Sequence, residues 1–350
     1  MSPDFERSMV IDMEQKFNQW KDMLYNKRYL FGIGAVLILL AVPIFGFSQY
    51  MIRILIMIGI YTILALGLNI LTGLTGLVSL GHAGFFAIGA YATSILMIKL
   101  QMNFFSAVII AMIITGVCGL LLGLPTLRLT GTYLSIVTLG FAEIVKMVIM
   151  NWDSMTNGTL GIRNIPKPTV LGEKLTLANN GMYYLMLVLL LLVTFTCITI
   201  HNSRIGRALK AIKANELASA MMGIYTARYK VLAFVISAVI TGLAGGFYAT
   251  LVSYIDHNSF TFDTSILILS IVILGGMGTI RGMFLGAVIL IAFPEVARPL
   301  MEWRFVVYGL VLILMMRFRP QGLLGWRSTA KYRIPKDKEE KKRGDKLGIS

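Results

Sequence analysis

Apolar residues dominate the chain in long blocks, and polar residues are gathered into the gaps between them. Blocks of about 20 apolar residues are long enough to cross a bilayer as helices. Ten such spans are predicted, at 30–48, 51–71, 76–99, 105–124, 132–150, 182–200, 230–251, 264–280, 283–299 and 304–318. Before them, residues 1–29 place Phe5, Met9, Met13, Phe17, Trp20 and Leu24 three or four apart. That spacing predicts an amphipathic helix lying on the cytoplasmic leaflet. After them, residues 319–350 mix bases and acids without apolar periodicity and are expected to be a disordered cytoplasmic tail. The fold class predicted is therefore an all-α polytopic membrane protein, with a transmembrane domain over 30–318.

Charge fixes the orientation. The sequence is 57% hydrophobic and only 14% charged, yet its net charge is +15. A basic chain can be a nucleic-acid binder, but here the bases sit at the termini and between apolar blocks. With both ends inside, most lysines and arginines fall on cytoplasmic segments, as the positive-inside rule requires. No nucleic-acid partner is expected; the lipid bilayer is. Cys118 and Cys197 lie in apolar runs without metal-ligand spacing and are expected to be free core residues.

The most polar of the inner gaps is 202–229, NSRIGRALKAIKANELASAMMGIYTARY, followed by Lys230. Within it Asn215 is a predicted N-cap and Gly223 a predicted helix stop. A helix over 215–222 would present Leu217, Ala220, Met221 and Ile224, with Glu216 at its positive end. Such an element is either an ordinary positive-inside loop or a docking site for a soluble partner.

The third span starts in GLTGLVSLGHAGFFAIGAYATS, with glycine at 73, 76, 81, 84 and 89. Small residues let helices approach closely, and glycines also permit a broken or re-entrant helix where it is buried or lines a cavity. Gly81, His82 and Gly84 are candidate pathway residues; a lone intramembrane histidine more commonly bonds across a helix interface. Gly119/Gly123, Gly242/Gly246 and Gly278/Gly282/Gly286 predict further tight contacts. Phe141-Ala-Glu-Ile-Val-Lys146 and Phe293-Pro-Glu-Val-Ala-Arg298 match in pattern, a candidate trace of an internal repeat. Each places an acid three residues before a base, so Glu143 is expected to pair with Lys146 and Glu295 with Arg298, either structurally or along a path. The longest outer loop, 151–181, is rich in Asn, Thr, Gly and Pro and contains the candidate pathway residue Asn157.

No G-x-x-x-x-G-K-[ST] or H-E-x-x-H occurs in the sequence. The residues support a carrier, channel or permease subunit, not an enzyme, and call for no metal or cofactor.

NILTGLTGLVSLGHAGFFAIGAY, GTYLSIVTLGFAEI with TNGTLGI after it, NSRIGRALKAIKANELASAMMGI, LGGMGTIRG and RPQGLLG together resemble the branched-chain amino acid (Liv-type) ABC transporter permease, M-type subunit. The resemblance spans about 50–326. It implies an importer in the bacterial plasma membrane with a second permease subunit in a heterodimer, cytoplasmic ATP-binding subunits and an external solute-binding protein. It also implies that the loop between the sixth and seventh spans contacts the ATPase. Glu216, Ala218 and Gly223 are loosely similar to the E-A-A…G signature of ABC importers, with one extra residue between acid and glycine. Related permeases carry urea or short amides, which is the alternative substrate class. An ion-coupled secondary transporter, with Glu143 or Glu295 protonated during its cycle, is the alternative mechanism.

Overall fold

The computed structural model describes residues 48–126, 131–170 and 172–296, with a few isolated positions beyond them that include 322–324. The predicted amphipathic segment 1–29, nearly all of the span 30–48 and nearly all of 304–350 lie outside the described residues, as does Arg298.

Helix α1 spans Gln49–Leu68 and runs into a π-helical turn, Asn69–Gly73. Ser48 caps its start, accepting from the Met51 amide. Residues 76–81 have no regular structure, and α2 follows over His82–Lys99. Helix α3 is Phe104–Thr126 and α4 is Thr132–Asn151. The loop after α4 holds a single helical turn, α5 (Asp153–Thr156), and strands β1 (Ile162–Arg163), β2 (Thr169–Val170) and β3 (Glu173–Lys174). Then come α6 (Gly181–Asn202), α7 (Arg204–Ala214), α8 (Glu216–Met221), α9 (Thr226–Val252), β4 (Tyr254–Ile255), α10 (Phe262–Gly275) and α11 (Ile280–Val296).

Among the described residues, six helices are long and apolar enough to cross a membrane: those built on α1, α3, α4, α6, α9 and α10. The ten-span count is thus met only in part. The third predicted span, 76–99, becomes a helix only at His82, because 76–81 are held in irregular backbone. The ninth, 283–299, corresponds to the shorter apolar stretch Ile280–Phe293.

Helix α9 is the centre, packing on α3, α2 and α1. Lipid is as apolar as leucine, so membrane helices gain little from burying oil-like surface against one another; close backbone approach supplies the contact instead. The glycines provide it. A Cβ on Gly89 of α2 would fall 2.4 Å from the Gly242 carbonyl oxygen of α9. One on Gly119 of α3 would meet the Ala238 Cβ at 2.6 Å. Gly275 of α10 and Gly282 of α11 face each other as tightly. Gly278 departs from the predicted small-residue stripe: its φ of +89° places it in a turn.

The connections sort to two ends. At one, β1 pairs antiparallel with β4 (Ile162 opposite Ile255), and Lys99 Nζ bonds the Ser154 carbonyl. At the other, residues 69–76, 203–225 and 276–279 meet. Segments that a spanning count puts on the same side are the ones that touch.

Candidate broken segment and inner-face junction

Irregular backbone at membrane depth must be satisfied by protein, and residues 73–83 show how. Thr138 Oγ1 of α4 accepts from the Leu80 amide at 3.0 Å, and Ser135 Oγ donates to the Val78 carbonyl at 3.0 Å. Ser265 of α10 accepts from the Ala83 amide at 3.0 Å. Thr72 Oγ1 donates to the Leu77 carbonyl at 3.1 Å. The strap is therefore stitched to α4 and α10 by side chains, with Ser79 and Gly81 buried.

The predicted pathway residues separate into two groups. Gly81 and Gly84 face α4: a Cβ at Gly81 would lie 2.3 Å from the Thr138 carbonyl oxygen, and one at Gly84 would lie 3.0 Å from the Ala142 Cα. Glu143, the next residue on α4, is turned about 100° away from Ala142 and so flanks the α2–α4 seam rather than lying in it. His82 points the other way and is fully buried. Its Nε2 is 2.8 Å from Ser237 Oγ of α9, which donates to the Gly67 carbonyl of α1 at 2.7 Å. A hydroxyl has one proton, so Nε2 carries the ring proton, and Nδ1 accepts from Ser79 at 3.3 Å. His82 thus ties three helices together, with both nitrogens engaged inside the chain. Asn157 stands apart, exposed in the outer loop at φ +57°, where its side chain suits a left-handed turn.

The expected Glu143–Lys146 pair does not form. Both residues are half-buried on α4, and among the described residues neither makes an ion pair or a hydrogen bond. Glu295 accepts from the Tyr50 hydroxyl, joining the end of α11 to the start of α1; its expected partner Arg298 lies outside the described residues.

At the end where residues 69–76 and 203–225 meet, Ser203 caps α7, which buries Gly206, Ala208, Leu209 and Ile212. Reading 215–222 alone as helix overlooked α7. The signal was present in Ile205, Leu209 and Ile212, spaced four and three apart. Three of the bases around it bond carbonyls of the chain itself. Arg207 reaches the Asn202 carbonyl and Lys210 the His201 carbonyl, both at 3.1 Å, at the negative end of α6. Lys213 Nζ donates to the Gly73 carbonyl at 2.8 Å, across 140 positions of sequence. Burial pulls the Lys213 ammonium below the usual lysine range.

Helix α8 is short and well delimited. Asn215 Oδ1 accepts from the Ala218 amide at 2.9 Å, and Gly223, at φ +82°, follows the C-cap Met222. Glu216 lies in the first turn and its carboxylate meets Lys230 of α9 at 2.5 Å, neutralising a lysine that is only 3% exposed. Leu217 (69% exposed), Met221 (79%), Met222 (83%) and Tyr225 project outward, and Ala220 is exposed beside them. Ile224, expected in that set, is half-buried.

Sequence reasoning also missed Asn69. Within the π turn, its Oδ1 accepts from the Gly278 amide at 2.7 Å and its Nδ2 donates to the Thr279 carbonyl at 3.5 Å. The same α10–α11 turn receives Leu323 and Leu324, whose amides bond the Leu274 and Gly275 carbonyls at 2.9 and 3.2 Å. Those carbonyls belong to the last turn of α10, where intrahelical donors run out.

A bundle of long apolar helices around a buried glycine-rich seam, with its irregular backbone satisfied internally, is a multi-pass helical membrane protein. A family model described as "Branched-chain amino acid transport system / permease component" matches residues 50–316, and the chain belongs to that family. It is similar to the high-affinity branched-chain amino acid transport system permease protein LivM of Salmonella typhimurium, 38% identical over 320 residues that cover 85% of this chain and 75% of that one. LivH of the same organism is 25% identical over 76% of this chain and 91% of its own length. BraD of Pseudomonas aeruginosa is 24% identical over 81% and 97%. No solved structure matches.

Proposed function

We propose that the chain is one of two membrane-spanning permease subunits of an ATP-driven importer for branched-chain amino acids. It would work in a bacterial plasma membrane with both termini cytoplasmic, ten spans in all, a second permease beside it, ATP-binding subunits below and a solute-binding protein outside. The observation that carries the coupling part of this reading is α8. Four large apolar side chains stand exposed on an element fixed by an Asn cap, a left-handed glycine and a buried ion pair. Large apolar side chains on a polar loop mark a contact surface, and an apolar helix face entering a groove is a standard recognition mode. Leu217, Ala220 and Met221 would enter the ATP-binding subunit, while Asn215, Glu216 and Gly223 hold the helix in shape for it.

The test is Met221→Asp in the assembled transporter. Insertion should be normal, because the side chain touches solvent. Co-purification of the ATP-binding subunits, or substrate-stimulated hydrolysis together with leucine uptake, should be lost. Normal complex, hydrolysis and uptake would make the stretch an ordinary positive-inside loop. Uptake of leucine, isoleucine and valine against urea and acetamide distinguishes the substrate classes.

A further inference from the structure

We propose that the open face of α4, centred on Gly140 and flanked by Glu143, is the surface that packs against the second permease subunit. The proposal rests on the permease reading above. Helix α4 is the least buried of the six apolar helices. Tyr133, Ile136, Ile144, Met147 and Val148 on it are all exposed. On apolar residues alone that face would simply meet lipid, as the exposed isoleucines of α3 do. Glu143 is what argues against lipid.

The helix is 20 residues long, so Glu143 sits about 16 Å from its inner end and about 12 Å from its outer end. That is close to mid-membrane. Lys146 is one turn nearer the outer end and has a long stem with which to reach headgroups. The glutamate stem is short and cannot. Glu143 is half-buried and, among the described residues, has no hydrogen bond or ion pair. An intramembrane carboxylate faces protein or water, not hydrocarbon. The described residues do not supply the partner, and a neighbour covering that flank of α4 would.

Gly140 shows how close the neighbour can come. A Cβ placed there would meet nothing within 4 Å, unlike Gly81, Gly84, Gly89, Gly119 and Gly242, whose missing side chains are matched by another helix of this chain. Close helix approach at glycine is the rule for membrane contacts, and among the described residues no helix matches the missing side chain of Gly140, deep in α4. The occupant is a second permease rather than another copy: the chain is similar to two different permeases of one organism. Its partner would bring a hydrogen-bond donor, a cation or a water-filled seam to Glu143.

The experiment uses the full-length chain co-expressed with the second permease and the ATP-binding subunits. A photo-crosslinking residue replaces Gly140 or, as a lipid-facing control, Ile113 on α3. Position 140 should yield an adduct with the second permease and position 113 none. Gly140→Leu should insert normally yet lower recovery of the second permease by about tenfold, the size of an overpacking cost at a close contact. Adducts from 140 with lipid only or with another copy of this chain, equal yields at both positions, or normal assembly of Gly140→Leu would each overturn the proposal. If the wild-type chain recovers no second permease, the permease-pair reading falls with it. If it does and position 140 does not find that subunit, only the surface falls.

Discussion

Replacing Gly81 by alanine adds one methyl group at the point where the broken strap crosses α4. The Gly81 backbone itself (φ −97°, ψ 10°) accepts any residue, so the entire cost is steric. The new carbon would stand 2.3 Å from the Thr138 carbonyl oxygen and 2.9 Å from its carbon, about 1 Å inside ordinary contact. Both obstacles are backbone, so no rotamer change relieves them and α4 must move. Overpacking of this kind costs about 1–3 kcal/mol. The same shift stretches the 3.0 Å bond from the Leu80 amide to Thr138 Oγ1, and a buried amide left without a partner costs a further 1–3 kcal/mol, roughly. Together these give a loss on the order of 2–5 kcal/mol. Thermal unfolding of the purified protein in detergent should fall by about 5–10 °C, taking a few degrees per kcal/mol. Gly140→Ala is the internal control, because its methyl meets nothing within 4 Å. A Gly81→Ala protein that melts with the wild type would refute the seam geometry.

Charge removal on α4 supplies a second prediction. Because Glu143 and Lys146 do not pair, Glu143→Gln and Lys146→Met should act on uptake independently, with a coupling energy below about 0.5 kcal/mol in the double variant; strong favourable coupling would show that the pair forms. At the three-helix tie, Ser237→Ala leaves the His82 Nε2–H without its acceptor, and melting should show a loss of about 1–3 kcal/mol, whereas Ser237→Thr, which keeps the hydroxyl, should retain most of the stability. Lys213 gives a pH signature. Its folded-state pKa is lowered, so the unfolded chain binds more protons between that value and the ordinary one. Stability of the wild type should rise with pH across that window, and Lys213→Met, measured by melting in alkaline buffers, should lose that rise.

Periodicity and charge placement made the helices legible because membrane insertion depends on both. Runs of apolar length gave the spans, and the most basic gap, 202–229, turned out to contact the Gly73 carbonyl of another connection. Asn215 and Gly223 were legible as helix ends because capping is local chemistry within four residues. The break after the first described helix was legible only as glycine content. Its true limits, a π turn at 69–73 and irregular backbone at 76–81, depend on Thr138, Ser135 and Ser265, which are far away in sequence. The same holds for Asn69 and Lys213: each looks ordinary in its own segment, and its role exists only where another loop's backbone arrives. Glu143–Lys146 failed for the opposite reason. Spacing of i and i+3 permits an ion pair on a helix but does not impose one.

The contacts around α7 and α8 explain how a short loop helix could act on more than its own two spans. Helix α8 is fastened to the start of α9 through Glu216 and Lys230. Its neighbour α7 is fastened to the end of α1 through Lys213 and the Gly73 carbonyl. The π turn frees backbone groups there, since its wider winding breaks the regular ladder. Asn69 of that turn then grips the Gly278 amide between α10 and α11, and the Leu323–Leu324 amides close the same turn from the other side. A displacement of α8 is thus met at once by α9, by α1 and, one hydrogen bond further, by the α10–α11 hairpin. Helix α1 is also tied to α2 and α9 through Gly67, Ser237 and His82. Motion of the inner end of α1 therefore pulls on the residue that begins α2, directly beside the strap. The physical requirement for such transmission is a contiguous set of elements with few compliant links. Two links, Lys213–Gly73 and Asn69–Gly278, are single side chains whose removal leaves every helix intact. Uptake that fails in Lys213→Met or Asn69→Leu while ATPase binding persists would place the coupling in these bonds; full uptake in both would show that the helices transmit through packing alone.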